Sequence, residues 1–181
     1  SAIEEVVSGR VEYGVARSEL LLHRLKGAPV VALAVVFQQS ATIMVARQDS
    51  GIKSPQDMIG QRVMLREGDN AAEYIATLQS AGVSIDQITV IPSSFDIQDL
   101  IHGKTDVFNA YITNEPFLLE EQGIPYTVIK PSDYGIEFYG DTLFTSEEEL
   151  GSHPDRVKAF LVASMRGWEY ALSHHEKIIE L

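Results

Sequence analysis

An α/β fold is what this sequence points to. Short apolar or alternating runs have the length of strands, amphipathic segments at helical spacing lie between them, and the two kinds exchange regularly along 181 residues. With 45% apolar and 22% charged residues, the chain has enough apolar surface for a core, and its length suits one large domain or two small ones.

Ala2, Ile3, Val6 and Val7 recur at helical spacing up to Gly9, and Val11, Tyr13 and Val15 then alternate as in a strand. Ser18 can cap a helix whose Leu20, Leu21, Leu22 and Leu25 face inward before Lys26-Gly27, and it reads equally well as a ligand contact. Pro29 to Phe37 is apolar without alternation, as in a strand buried on both faces, and is expected to be the core strand. Gln38, Gln39 and Ser40 break that run before a second strand, Ala41 to Arg47. Three uncharged polar side chains between strands make either a turn or a ligand contact at the mouth of the sheet.

Ser54-Pro55 starts a short helix that Gly60 ends, and Arg62 to Leu65 follows as a strand. Glu67-Gly68-Asp69-Asn70 leads into a helix through Ala71, Tyr74, Ile75 and Leu78. Its acids would repel phosphate and serve instead as caps, and Asn70 is the candidate ligand contact there. Ile88 to Ile91 is a strand and Ser94 to Ile101 a helix.

The segment Gly103 to Pro116 is the strongest candidate for a site. A strand from Asp106 to Ala110, carrying Asn109, delivers Tyr111, Thr113, Asn114 and Glu115 to a helix N-terminus, with Pro116 in the first turn and Gly123 at the end. Open α/β sheets bind ligands outside the carboxyl ends of their strands. Asp106 is expected to be structural, bonding backbone. Tyr126 to Ile129 is a further strand, and Tyr134, Phe138 and Tyr139, with Asp141 beside them, surround Gly135 and Gly140 before strand Gly140 to Thr145. Ser146 begins a turn of helix and Pro154 a longer one, where Val157, Phe160, Leu161, Ser164, Trp168 and Leu172 mark one face and Trp168 is expected to anchor the core.

A net charge of −12 argues against nucleic acid and anionic membranes as partners, since both need clustered Lys and Arg. The longest apolar run is of strand length, too short to span a bilayer. No cysteine occurs, so disulfides, thiolate metal sites and a cysteine nucleophile are excluded. There is no G-x-G-x-x-G, phosphate loop or G-x-S-x-G, and the five histidines lack metal-site spacing. No catalytic constellation can be assembled, so the chain reads as a binding protein with no cofactor and no metal.

The segments SGRVEYGVARSELL, KGAPVVALAVVFQQSATIMV, SPQDMIGQRV, GKTDVFNAYITNEPFLLEEQGI, YGIEFYGDTLFTSEEEL and HPDRVKAFLVASMRGWEYAL, in that order, resemble the substrate-binding proteins for thiamine pyrimidine precursors and the related pyrimidine-synthesis enzymes. The resemblance implies a type II periplasmic-binding-protein fold, two α/β lobes with a ligand cleft, with residues 1–47 and 139–181 in one lobe and 48–138 in the other. It implies an extracytoplasmic, bacterial periplasmic location and a partner that is either a membrane permease or a membrane-anchored signalling output domain. A thiamine-precursor pyrimidine is the implied small-molecule ligand. Tyr111 and Tyr139 would hold its ring, and Ser18, Gln38, Ser40, Asn70, Asn109, Asn114, Glu115 and Asp141 would hydrogen-bond it, with Glu115 on the amino edge. Relatives begin with a strand and helix ahead of Ser1, so an open sheet position and a strand-swapped homodimer are further expectations. The synthesis enzymes use a cysteine-rich loop that this chain lacks, which weighs against a pyrimidine-synthase activity. A sulfonate-binding protein and an effector domain of a transcription regulator are the other readings.

Overall fold

The computed structural model describes residues 1–180, and they divide into two compact units. The smaller comprises Ser1–Ala16, His23–Val36 and the chain from Asp141 onward; the larger comprises Arg17–Leu22 and Phe37–Gly140.

The smaller unit holds a three-stranded antiparallel sheet of β1 (Tyr13–Ala16), β2 (Val30–Val35) and β8 (Thr142–Ser146), in the order β1-β8-β2. Helix α1 (Ala2–Val7) opens with a capping box between Ser1 and Glu4 and buries Ile3 and Val6. Helices α6 (Glu147–Ser152), α7 (Pro154–Ser173) and α8 (His175–Ile179) follow β8, and the Ser146 side chain caps α6 by accepting from Glu149 N.

The larger unit is a five-stranded sheet, β5-β4-β6-β3-β7, of β3 (Thr42–Arg47), β4 (Arg62–Leu65), β5 (Thr89–Pro92), β6 (Val107–Tyr111) and β7 (Tyr126–Ile129). Strands β4, β5 and β6 are parallel, whereas β3 runs antiparallel to β6 and β7. Two right-sized crossovers make the parallel part possible: α3 (Ala72–Ser80) joins β4 to β5, and α4 (Gln98–Ile101) joins β5 to β6. One face of the sheet packs Met44, Val63, Leu65 and Val107 against Tyr74 and Leu78 of α3; the other packs Val45, Met64 and Phe108 against Leu100 and against Leu119 of α5 (Glu115–Glu121). Asp106 has the expected structural role: its carboxylate accepts from Arg62 N at 2.9 Å and pairs with the Arg62 guanidinium at 2.6 Å, tying the starts of β4 and β6 together.

Several sequence expectations are corrected. The run Pro29–Phe37 supplies an edge strand, with β2 at the end of its sheet beside β8 and mostly half-buried, so the core strand is β3 instead, where Ile43 to Ala46 are almost wholly buried between two neighbours. Helix α2 (Glu19–Leu25) buries Leu20 but leaves Leu21 and Leu25 exposed. In α7 only Val157 is buried, and Trp168 and Leu172 are exposed; helical periodicity identifies an apolar face without supplying what packs on it. The helix expected from Ser94 shrinks to α4, because Ser94 Oγ accepts from Asp96 N and Asp96 from Gln98 N in successive local turns. Residues Gly68–Ala71 form a 3₁₀ turn in which Glu67 makes no capping bond.

Candidate functional site

The carboxyl ends of β4, β5 and β6 fall at Leu65, Pro92 and Tyr111, and Thr42 at the start of β3 stands opposite Tyr111. One end of the sheet thus gathers the residues that leave three parallel strands and enter an antiparallel one. A cavity of about 660 Å³ lies in this unit, with Gln38, Ser40, Thr42, Glu73, Lys130 and Tyr139 in its lining.

Its walls are set by backbone. Ser40 N donates to Phe138 O and Gly140 N to Phe37 O, so residues 37–40 lie along 138–140. A Cβ on Gly140 would stand 2.7 Å from Phe37 Cβ, so only glycine lets these segments approach. Inside, Ser40 Oγ donates to Glu73 Oε2 at 2.9 Å and accepts from Thr42 N at 3.2 Å. Glu73 is only 4% exposed, and its Oε1 is buried with no hydrogen-bond partner; Thr42 Oγ1 is likewise buried and unpartnered. A buried acceptor left alone is costly, whereas an N–H or O–H brought by a ligand would satisfy it. The cavity lining therefore includes a buried carboxylate with one oxygen unpartnered, a buried hydroxyl and an exposed tyrosine ring.

A second group stands at the same strand ends. Arg66, directly after β4, lies 5.2 Å from the Phe95 ring centroid and 5.1 Å from that of Tyr111, and its Nε is buried without a partner. Arg17 lies 5.3 Å from the Tyr111 centroid and donates to its hydroxyl. Phe95 holds φ at 59°, and is the one non-glycine residue with positive φ among those described. Buried Tyr74, next to Glu73 in the chain, has its hydroxyl pushed up to about 12, first by burial, with the two arginines pulling the other way.

The expected site residues separate accordingly. Gln38, Ser40 and Tyr139 line the cavity. Tyr111 sits with the arginines, and Glu115 is engaged by its own chain, accepting from Tyr111 N at 2.7 Å and from Asn114 Nδ2 at 3.2 Å. Asn109 is buried in β6 with Oδ1 unpartnered; Asn70 is exposed in the 3₁₀ turn, and Ser18 is half-buried ahead of α2. Asp141 belongs to the smaller unit, where its carbonyl accepts from Val36 N. Thr42, Glu73, Arg17 and Arg66 were not legible as site residues. An acid inside the apolar face that α3 turns to the sheet was the available signal for Glu73.

The family model described as NMT1/THI5 like matches residues 1–178. The riboflavin-binding protein RibY of Chloroflexus aurantiacus is 26% identical over 167 residues, covering 91% of this chain and 47% of that protein. The formylaminopyrimidine-binding protein of Halalkalibacterium halodurans is 23% identical over 184 residues, 99% of this chain and 56% of that one. The 4-amino-5-hydroxymethyl-2-methylpyrimidine phosphate synthase of Legionella pneumophila is 26% identical over 189 residues, with 100% and 59% coverage. The chain spans about half the length of the curated relatives it matches. Among solved structures, the periplasmic aliphatic sulphonate binding protein SsuA from Escherichia coli superposes with a TM-score of 0.77 at 15% identity, covering 97% of this chain and 61% of that one. The fold is that of the type II periplasmic binding proteins.

Proposed function

The chain belongs to the NMT1/THI5-like family, and from that premise we propose that it is the solute-binding part of an extracytoplasmic protein, taking a flat, amino-substituted heterocycle of the thiamine-precursor pyrimidine class. The observation that carries this reading is the buried carboxylate of Glu73, one oxygen held by Ser40 and the other facing no partner, in a cavity beside the carboxyl ends of the parallel strands. An exocyclic amino group or ring N–H supplies the donor that Oε1 lacks. Thr42 Oγ1 takes a second polar atom, and Tyr139, 59% exposed on the cavity wall, offers a ring face for stacking. Glu73 thereby assumes the role first expected of Glu115, whose oxygens are both used within the chain.

Two curated relatives are named for binding riboflavin and formylaminopyrimidine, both planar nitrogen heterocycles, and this agreement supports the class of ligand. A non-enzymatic role fits the binding-protein fold, although one relative is named as a synthase. A permease or a signalling output domain is the partner in this reading, and the periplasm the location. The lobes at 1–47 with 139–181 and at 48–138 stand as parts of the same proposal.

Titration calorimetry with hydroxymethylpyrimidine, formylaminopyrimidine, riboflavin and taurine tests it. Saturable heat with an amino-substituted ring is expected, with affinity weakened roughly tenfold or more in Glu73→Gln. Binding of taurine alone would transfer the chain to the sulfonate class.

A further inference from the structure

We propose that Arg17 and Arg66 form an anion site, so that the ligand carries a phosphate or carboxylate group in addition to its ring. This rests on the solute-binding reading of the same strand ends and adds the polarity of the ligand to it.

The arginine census carries the argument. Of eight arginines, five are paired with carboxylates among the described residues: Arg10 with Glu5, Arg24 with Glu147, Arg47 with Asp49, Arg62 with Asp106 and Arg156 with Glu149. Arg166 is exposed on α7. Among the described residues, Arg17 and Arg66 are the two that are half-buried and meet aromatic rings instead of an acid, in a chain with 26 Asp and Glu. Both lie near the Tyr111 ring, so two like charges share one ring, and neither is ion-paired with a carboxylate among the described residues. That arrangement is unfavourable by itself and becomes favourable when an oxyanion enters, because guanidinium groups bind carboxylate and phosphate through paired N–H donors.

The surroundings are built for this. The Arg66 guanidinium carbon lies 5.2 Å from the Phe95 ring centroid and 5.1 Å from that of Tyr111, and its Nε is buried without a partner. Phe95 reaches Arg66 from a left-handed backbone conformation that a phenylalanine disfavours, a strain of the kind that collects at ligand sites. Arg66 and Phe95 come after the carboxyl ends of β4 and β5, and Tyr111 ends β6, on the edge where an open parallel sheet receives its ligand. A ligand with N–H donors and an oxyanion supplies what Glu73 and the two arginines each lack.

Arginine side-chain Nε–Hε resonances of the whole chain, recorded while inorganic phosphate, acetate or chloride is added at matched ionic strength, test the site without any heterocycle. The two signals that vanish in Arg17→Lys and Arg66→Lys are expected to shift saturably with phosphate or with acetate, and whichever acts at lower concentration identifies the anion. No shift, or equal shifts with chloride, overturns the proposal. Calorimetry with hydroxymethylpyrimidine and its phosphate ester is the second arm, where a preference of about tenfold for the ester is expected to collapse to parity in Arg66→Gln. Saturable anion shifts with no heat from any heterocycle would leave the anion site standing and remove the heterocycle reading; heat from heterocycles with silent arginines would do the reverse.

Discussion

Glu73 is the residue on which ligand class turns, because the chain buries a carboxylate there and then uses only half of it. Glu73→Gln keeps the size and the bond to Ser40 but replaces a charged acceptor by a neutral one. A hydrogen bond to a charged group contributes about 1.5–3 kcal/mol, so the variant is expected to bind an amino-substituted ring roughly tenfold to a hundredfold more weakly, with folding intact by circular dichroism. Unchanged affinity would move the donor-accepting role elsewhere. Phe95 makes the complementary prediction. A left-handed conformation costs a non-glycine residue about 1–2 kcal/mol, and asparagine tolerates it better, so Phe95→Asn is expected to raise the unfolding midpoint while weakening the Arg66 response to anions. A drop in both would mean that the ring serves the fold.

At the level of elements, what the sequence disclosed depended on whether the signal was local. The β6–α5 junction was legible, because Pro116 and Gly123 mark the ends of α5 within a few residues of the strand. Asp106 was legible too, as a short acid at a turn. The rank of β2 and β3 was not: a continuous apolar run is the same whether its strand lies in the middle of a five-stranded sheet or at the edge of a three-stranded one. Nor could Glu73 and Arg66 be assembled into a site, since Glu73 meets Ser40 across 33 residues and Arg66 meets Tyr111 only because β4 lies beside β6. The smaller sheet offers a direct test of its packing. Gly14 of β1 faces Phe144 of β8, and a Cβ there would stand 2.6 Å from the fully buried phenyl ring and 3.1 Å from Val6 Cγ2. Gly14→Ala is expected to cost about 1–3 kcal/mol, seen as faster amide exchange in β1 and β8 with β3 and β6 unaffected. Equal exchange in β1 would show that the ring moves aside freely.

For the molecule as a whole, the excess of acids sets opposing trends with pH. With a net charge of −12, self-repulsion at neutral pH eases as carboxylates protonate, which favours the folded state on acidification. Glu149 acts in the opposite sense. It is buried, receives Arg156 at 2.5 and 2.7 Å and the Tyr13 hydroxyl at 3.1 Å, and lies 3.2 Å from His153, so one carboxylate ties β1 to α6 and α7. The Arg156 hydrogen bonds, outweighing burial, pull its carboxyl down to about 2 from an ordinary 4.5. A group depressed in the folded state binds its proton more readily when unfolded, so its contribution is complete above about 4.5 and is lost as pH falls toward about 2. Asp99 and Asp106 are lowered in the same direction by Lys104 and Arg62, so the whole chain's acid limb mixes several such groups with the relief of repulsion. Comparing the native chain with Glu149→Gln isolates one of them. The variant is expected to melt lower at pH 7, and the gap in unfolding midpoint, followed by calorimetry, is expected to close between pH 4.5 and 2; parallel curves through that window would place the stabilising charge on another residue.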